Sequence, residues 1–215
     1  MVKIPIEKKL KKKIHRQIAL AQDILIVQFY HFFPKAVLHG GTAIWRCFGG
    51  NRFSEDLDFY LSSPNSKFKE FIKSLEELGL EKIKFKKTKN AIYSKFRHQE
   101  ATIRLEILFK RAKSFQTLPY EMLDGSFFMV NVLSKKELLK EKINSYLQRK
   151  LVRDLYDIFF LLHNLDPKEI PKKEIKKLIQ NYSSPLDENN LKTLIIVGAV
   201  PKATEMIKEI QKWAK

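Results

Sequence analysis

Residues 38–60 read LHGGTAIWRCFGGNRFSEDLDFY. Ala36, Val37 and Leu38 make a short apolar strand that runs into His39, Gly40, Gly41 and Thr42. Thr42 to Phe48 reads as a short helix, Gly49, Gly50 and Asn51 as a loop, and Leu57 to Leu61 as a second strand. Side chains alternate along a strand, so Asp56 and Asp58 share one face while Leu57 and Phe59 turn into a core. Two carboxylates held side by side repel unless a cation lies between them, and an oxygen-only pair suits magnesium or manganese. Surface charge or capping is the commoner role of such a pair. Gly40 and Gly41 have no Cβ to block a phosphate, their amides can meet its oxygens, and Thr42 adds a hydroxyl near a helix N-terminus. A plain tight turn accounts for the glycines equally well.

Upstream, Ile14, Ile18, Ala21, Leu25 and Phe29 recur at helical spacing and mark one buried face, with the Lys8–Arg16 charges on the other side. Downstream, a helix over Lys67–Leu78 is stopped by Gly79, and Lys82 to Phe109 reads as two or three strands ending in IRLEILF. Glu106 lies on the last of these with Arg104 and Leu108, opposite an apolar face of Ile103, Leu105, Ile107 and Phe109. A charge at that position needs a partner, either a metal held by Asp56 and Asp58 or a cation such as Arg104. Composition shifts near Pro119 and Gly125, and from Ser134 the pattern is nearly all helical. Two domains are expected, 1–130 and 131–215, the first mixing strands and helices as an α+β fold. In the second, Ser134 with Glu137 fits a capping box, and Leu139, Ile143 and Leu147 form a core face. Helices follow over Val152–Leu162, Lys172–Gln180 and from Asp187 to the C-terminus, interrupted at Pro167, Pro185 and Pro201.

The chain has 215 residues, and 41 Lys+Arg against 24 Asp+Glu leave a net charge of +17. Self-repulsion of that size points to an anionic partner: nucleic acid, nucleotide phosphates or an acidic protein. Lysine clusters at Lys8–Arg16 and Lys82–Lys113 are the candidate surfaces. High Lys and Glu content also serves stability at high temperature. A single cysteine, Cys47, excludes a disulfide framework and a cysteine metal cluster and fits a reducing cytoplasm. No apolar run is long enough to span a bilayer. Gln22, Asp23 and Gln28 interrupt the N-terminal apolar stretch before a signal-peptide core forms. His39 reads as structural at a strand end, and the other histidines lack ligand spacing.

A glycine pair, an Asp-x-Asp strand and a third carboxylate on a later strand resemble the polymerase-β-like nucleotidyltransferase superfamily. HGGTAI followed by RFSEDLDF is similar to the signature of AbiEii-type toxin nucleotidyltransferases of abortive-infection and toxin–antitoxin systems. KINSYLQRKLVRDLYD, Lys142 to Asp157, is similar to that branch's helical lysine and Arg-Asp motifs. By spacing alone, Lys142 flanks the buried stripe and Arg149 falls on the same side two turns later. A solvated Lys142 and an Arg153–Asp157 ion pair at i, i+4 explain the same residues without function.

The resemblance covers residues 38 to 157. It implies a polymerase-β-like mixed sheet with flanking helices, then a helical domain closing the cleft. It further implies metal ligation by Asp56, Asp58 and Glu106, with magnesium or manganese as cofactor, and Lys142 as a fourth catalytic residue. Gly40, Gly41, Thr42, Arg52, Ser54, Arg149, Arg153 and Asp154 are the implied nucleotide contacts. The substrate is then an NTP, the favoured acceptor RNA at the 3′ end of tRNA, and an antitoxin an expected partner, in the cytoplasm and away from membranes. A protein or small-molecule acceptor, or a non-catalytic nucleotide or RNA binder, are the rival readings.

Overall fold

The computed structural model describes residues 4–63 and 67–214. The chain divides into two compact units, one of residues up to Gly49 with Phe53–Leu133, the other of Gly50–Arg52 with Ser134 onward. In the first, α1 (Ile6–Lys9), α2 (Lys13–Phe32), β1 (Val37–His39), α3 (Gly40–Phe48), β2 (Leu57–Leu61) and α4 (Phe68–Glu77) precede five strands. These are β3 (Glu81–Lys87), β4 (Ala91–His98), β5 (Ala101–Phe109), β6 (Phe115–Glu121) and β7 (Phe127–Leu133). They form one sheet ordered β3-β4-β5-β2-β1-β7-β6, parallel at β2/β5 and β1/β7 and antiparallel elsewhere. This is the expected mixed sheet with flanking helices.

Alternation in β4 and β5 makes one sheet face apolar and one polar. Ile92, Phe96, Ile103, Leu105 and Ile107 are buried, whereas Tyr93, Lys95, Arg97 and Arg104 are exposed. Helix α2 covers the apolar side. Its Phe29 ring meets Phe33 at 4.9 Å, Phe59 at 4.1 Å and Phe71 at 5.4 Å, fastening α2 to β2 and α4. Burying each such ring contributes about 1.5–3 kcal/mol. Ile14 departs from the expected face: in the first turn of α2 it is 39% exposed. Of the polar residues that interrupt the apolar stretch, Gln22 and Asp23 are buried and Gln28 is half-buried. Asp23 pairs with Arg46 at 3.1 Å and accepts from Leu123 N at 2.7 Å. Arg46 also donates to the carbonyls of Ala19 and Glu121, tying α2, α3 and β6 together.

Strands β6 and β7 fall where the sequence shows a composition change and no strand. Pro119 lies inside β6, which is tolerated because β6 is an edge strand. Helix α4 ends one residue short of Leu78, and Gly79 follows at φ +82°, a conformation glycine adopts without strain.

The second unit holds α5 (Lys135–Arg149), α6 (Val152–His163), α7 (Lys172–Gln180), α8 (Leu191–Leu194) and α9 (Ala203–Lys212). Ser134 caps α5 by accepting from Glu137 N at 3.4 Å. Leu139 and Ile143 are buried and Leu147 is half-buried. The helix expected from Asp187 onward is interrupted well before Pro201: α8 ends at Leu194, residues 195–202 are non-helical, and α9 stops at Lys212; Lys215 lies outside the described residues. The loop after α3 belongs here through Asn51 O, which accepts from Ile196 N at 2.8 Å, and an Arg52–Ile195 bridge. Among the described residues no helix is long and apolar enough to cross a membrane.

Candidate active site

Strand pairing places three chemically active side chains in one row. His39 on β1 is the antiparallel partner of Asp58 on β2, and Asp58 is the parallel partner of Glu106 on β5. Register partners share a face, so the row lies on the sheet's polar side. Gly40 follows at φ +75°, and a Cβ built there collides with the Asp58 carboxylate, whose Cγ would lie only 3.0 Å away. Glycine is therefore demanded twice at position 40, by backbone conformation and by the room Asp58 needs. Gly41 is buried in the first turn of α3.

The loop carrying Asp56 is fixed from below. Thr42 is fully buried, and its hydroxyl donates to the Asp56 carbonyl at 2.5 Å. Gln22 on α2 donates to the Ser54 carbonyl at 2.9 Å. Thr42, expected among the phosphate contacts, is thus turned inward, because a buried hydroxyl must spend its hydrogen on the nearest acceptor. Gln22 had only one signal in sequence, a polar residue inside a helix's apolar face. His39 stacks on Tyr60, ring centroids 3.9 Å apart and nearly parallel. Asp56 accepts two 2.7 Å bonds from Arg104. Among the described residues no three side chains of metal-ligating type converge on one point. Asp58 and Glu106 are register partners that offer oxygen donors alone, while Asp56 is held by Arg104.

Burial, then the Asp58 carboxylate, pushes the Glu106 carboxyl above its ordinary range, against the opposing pull of His39 and Arg104. A raised folded value means this group's stabilising contribution is complete below the unfolded value of about 4.5 and is lost as pH rises through the folded value. Glu106→Gln is therefore expected to stabilise the metal-free protein at pH 7, by something on the order of 0.5 kcal/mol because solvent screens a half-exposed carboxylate. The gap from wild type should close as pH falls toward 4.5. Thermal melts across that range check this, and a destabilised variant at pH 7 would refute it.

A second cluster lies within the helical unit. Arg52 grips Asp157 with two 2.8 Å bonds, and Lys142 reaches the same carboxylate at 2.8 Å and Asp154 at 3.7 Å. Arg149 closes the far end on Asp154 at 2.6 and 2.8 Å. Cations and anions alternate: Arg52, Asp157, Lys142, Asp154, Arg149. The first four are buried, and the Arg149 side chain is 43% exposed. Lys142 and Arg149 do share a side, as their spacing implied. The i, i+4 pairing of Arg153 with Asp157 does not form, because Arg52 and Lys142 hold Asp157 instead. Arg153 is half-buried and makes no ion pair among the described residues. Asp157 is the member that sequence reasoning assigned no site role. Its signal was two acids, Asp154 and Asp157, three apart on a helix whose apolar residues are buried.

The family described as Nucleotidyl transferase AbiEii toxin, Type IV TA system, matches residues 24–203. The chain belongs to that family. It is an AbiEii nucleotidyltransferase, and the matched span takes in both the carboxylate row and the charge cluster. Similar solved structures include MenT4, a nucleotidyltransferase toxin of Mycobacterium tuberculosis H37Rv, at TM-score 0.60 and 20% identity, covering 92% of this chain and 86% of that one. A protein from H. pylori assigned as a nucleotidyltransferase has TM-score 0.60 at 20% identity, covering 91% and 94%. JHP933 from Helicobacter pylori has TM-score 0.59 at 18% identity, covering 91% and 90%. At these identities the likeness shows the fold. No curated protein matches in sequence.

Proposed function

We propose that this AbiEii protein moves a nucleoside monophosphate from an NTP to RNA, at the 3′ end of tRNA, as the toxin of a pair whose antitoxin restrains it. The observation that carries the reading is the His39–Asp58–Glu106 row with position 40 cleared for the Asp58 carboxylate. Asp56, Asp58 and Glu106 are the residues proposed to hold magnesium or manganese. That cation, when bound, neutralises triphosphate charge and acidifies the attacking hydroxyl.

The chain's own groups do the rest. Gly40 and Gly41 offer the first amides of α3 to the outgoing phosphates. Thr42 and Gln22 act as positioning residues that set the Ser54–Asp56 loop. Glu106 completes the cation site or accepts the proton of the attacking 3′ hydroxyl. The new O–P bond forms at the α-phosphorus, the bond to the bridging oxygen breaks, and pyrophosphate leaves with the electron pair. In the helical unit, Arg52, Lys142 and Asp154 serve with Asp157 as a buried framework, and Arg149 and Arg153 keep solvent access for phosphate. The charge of +17 supports a polyanionic acceptor.

The test incubates the protein with total tRNA, magnesium and each α-labelled nucleoside triphosphate in turn. Label on tRNA is expected with one of them. Label on protein instead would replace the acceptor, and no transfer to either would sink the reading.

A further inference from the structure

The row through Asp58 and Glu106 does not end at Glu106. Its partner on β4 is Tyr93, and the partner of Tyr93 on β3 is Lys86. One step along the strands, Arg104, Lys95 and Lys84 form a parallel row. All five of these residues beyond the acids lie on the same polar face as the carboxylates. With strands about 4.8 Å apart, Lys86 lies roughly 10 Å from Glu106.

Three features of this face are not those of an idle surface. Lys84 and Lys95 are directly opposed, and like charges in that position are destabilising. Arg97 is neutralised by Glu81 at 2.6 Å and Arg104 by Asp56, yet among the described residues no ion pair engages Lys84, Lys86 or Lys95. Tyr93 stands 43% exposed between the lysines and Glu106. Lysines on β3 alone would guard an edge strand against aggregation. That role does not account for Lys95 on the inner strand β4 or for an exposed aromatic ring beside a carboxylate.

The face also has a direction. On the β1 side, Asp58 is flanked by His39 and the Gly40–Gly41 corner, where the proposed reading puts the triphosphate. The lysines extend the opposite way, on β4 and β3 beyond β5, leaving that flank for the second substrate.

We propose that the polar face of β3, β4 and β5 is the track on which the acceptor lies as single-stranded RNA. Tyr93 stacks on a base near the 3′ end, and Lys84, Lys86 and Lys95 hold the phosphates behind it. This rests on the RNA-acceptor reading and adds the residues that bind it. Stacking on an aromatic ring tolerates any base, and lysines read charge rather than sequence, so selectivity for an end and not a sequence follows.

The test measures fluorescence anisotropy of a short labelled single-stranded RNA with a free 3′ hydroxyl, without metal or NTP, over a salt series. Combined Lys84→Gln, Lys86→Gln and Lys95→Gln is expected to weaken binding at least tenfold and to flatten the log–log salt slope by about 2, since each single-strand phosphate contact contributes roughly 0.7. Tyr93→Ala is expected to weaken binding about tenfold at unchanged slope, and Tyr93→Phe to restore it. NTP affinity, measured by calorimetry, should be unchanged in all of them. Wild-type affinity and slope in the triple variant would overturn the track while leaving the RNA-acceptor reading standing. The same RNA result with loss of a protein partner would assign the face to protein. A wild-type protein that binds no RNA at low salt yet labels another acceptor would overturn both.

Discussion

Asp58→Ala is expected to lower nucleotidyl transfer by about 10³-fold or more, because several kcal/mol of cation-mediated charge stabilisation are lost and each 1.36 kcal/mol is a factor of ten. The fold should survive. Asp58 is only half-buried, and its removal relieves the like-charge pressure that helps raise the Glu106 carboxyl. Asp58→Asn should behave the same in transfer, since an amide keeps the shape and loses the charge. The decisive comparison is labelled transfer beside a thermal melt of the same preparation. Transfer within tenfold of wild type, at equal stability, would remove Asp58 from the metal site.

Asp157→Ala should instead fail by unfolding. The variant removes the carboxylate that Arg52 and Lys142 both hold at 2.8 Å, and breaking a buried charge cluster in this way costs about 3–5 kcal/mol. Burial opposes the Asp157 charge, but Arg52 and Lys142 outweigh it and hold the carboxyl below its ordinary range. A depressed folded value means this stabilisation is present above the unfolded value near 3.9 and is lost as pH falls through the folded one. Urea titrations of the full chain at pH 7 should show the deficit, and wild type should lose its advantage over the variant on acidification below about pH 4. Restoring an apolar match, with Arg52→Met, Lys142→Met and Asp157→Leu together, should recover most of the loss, since buried ion clusters are replaceable by packed hydrophobics. A deficit under 1 kcal/mol in Asp157→Ala would show that water, and not the cluster, carries these charges.

Much of the carboxylate row was legible along the chain. Period-two alternation in Leu57–Leu61 and Ile103–Phe109 assigns Asp58 and Glu106 to polar faces before any pairing is known. Helical spacing likewise puts Lys142 and Arg149 on one side of α5. Pro119 breaks the local strand signal of β6, and edge position is what makes the proline harmless. Thr42 looked like a phosphate ligand because a hydroxyl at a helix start usually faces out. The Ser54–Asp56 loop, folding back under α3, turns it in.

From sequence alone came the alternation of faces, the helix stripes, the glycine corner and the family motifs, all set by interactions within a few residues. Only the tertiary structure decided that Asp58 neighbours Glu106 across 48 positions, that Arg104 clamps Asp56, and that Asp157 takes Arg52, 105 residues away, over Arg153 in its own helix. The reason is physical. Local periodicity follows from backbone geometry, whereas a buried charge pairs with whichever opposite charge packing brings into the same water-free space, and that choice has no trace in the spacing of the chain.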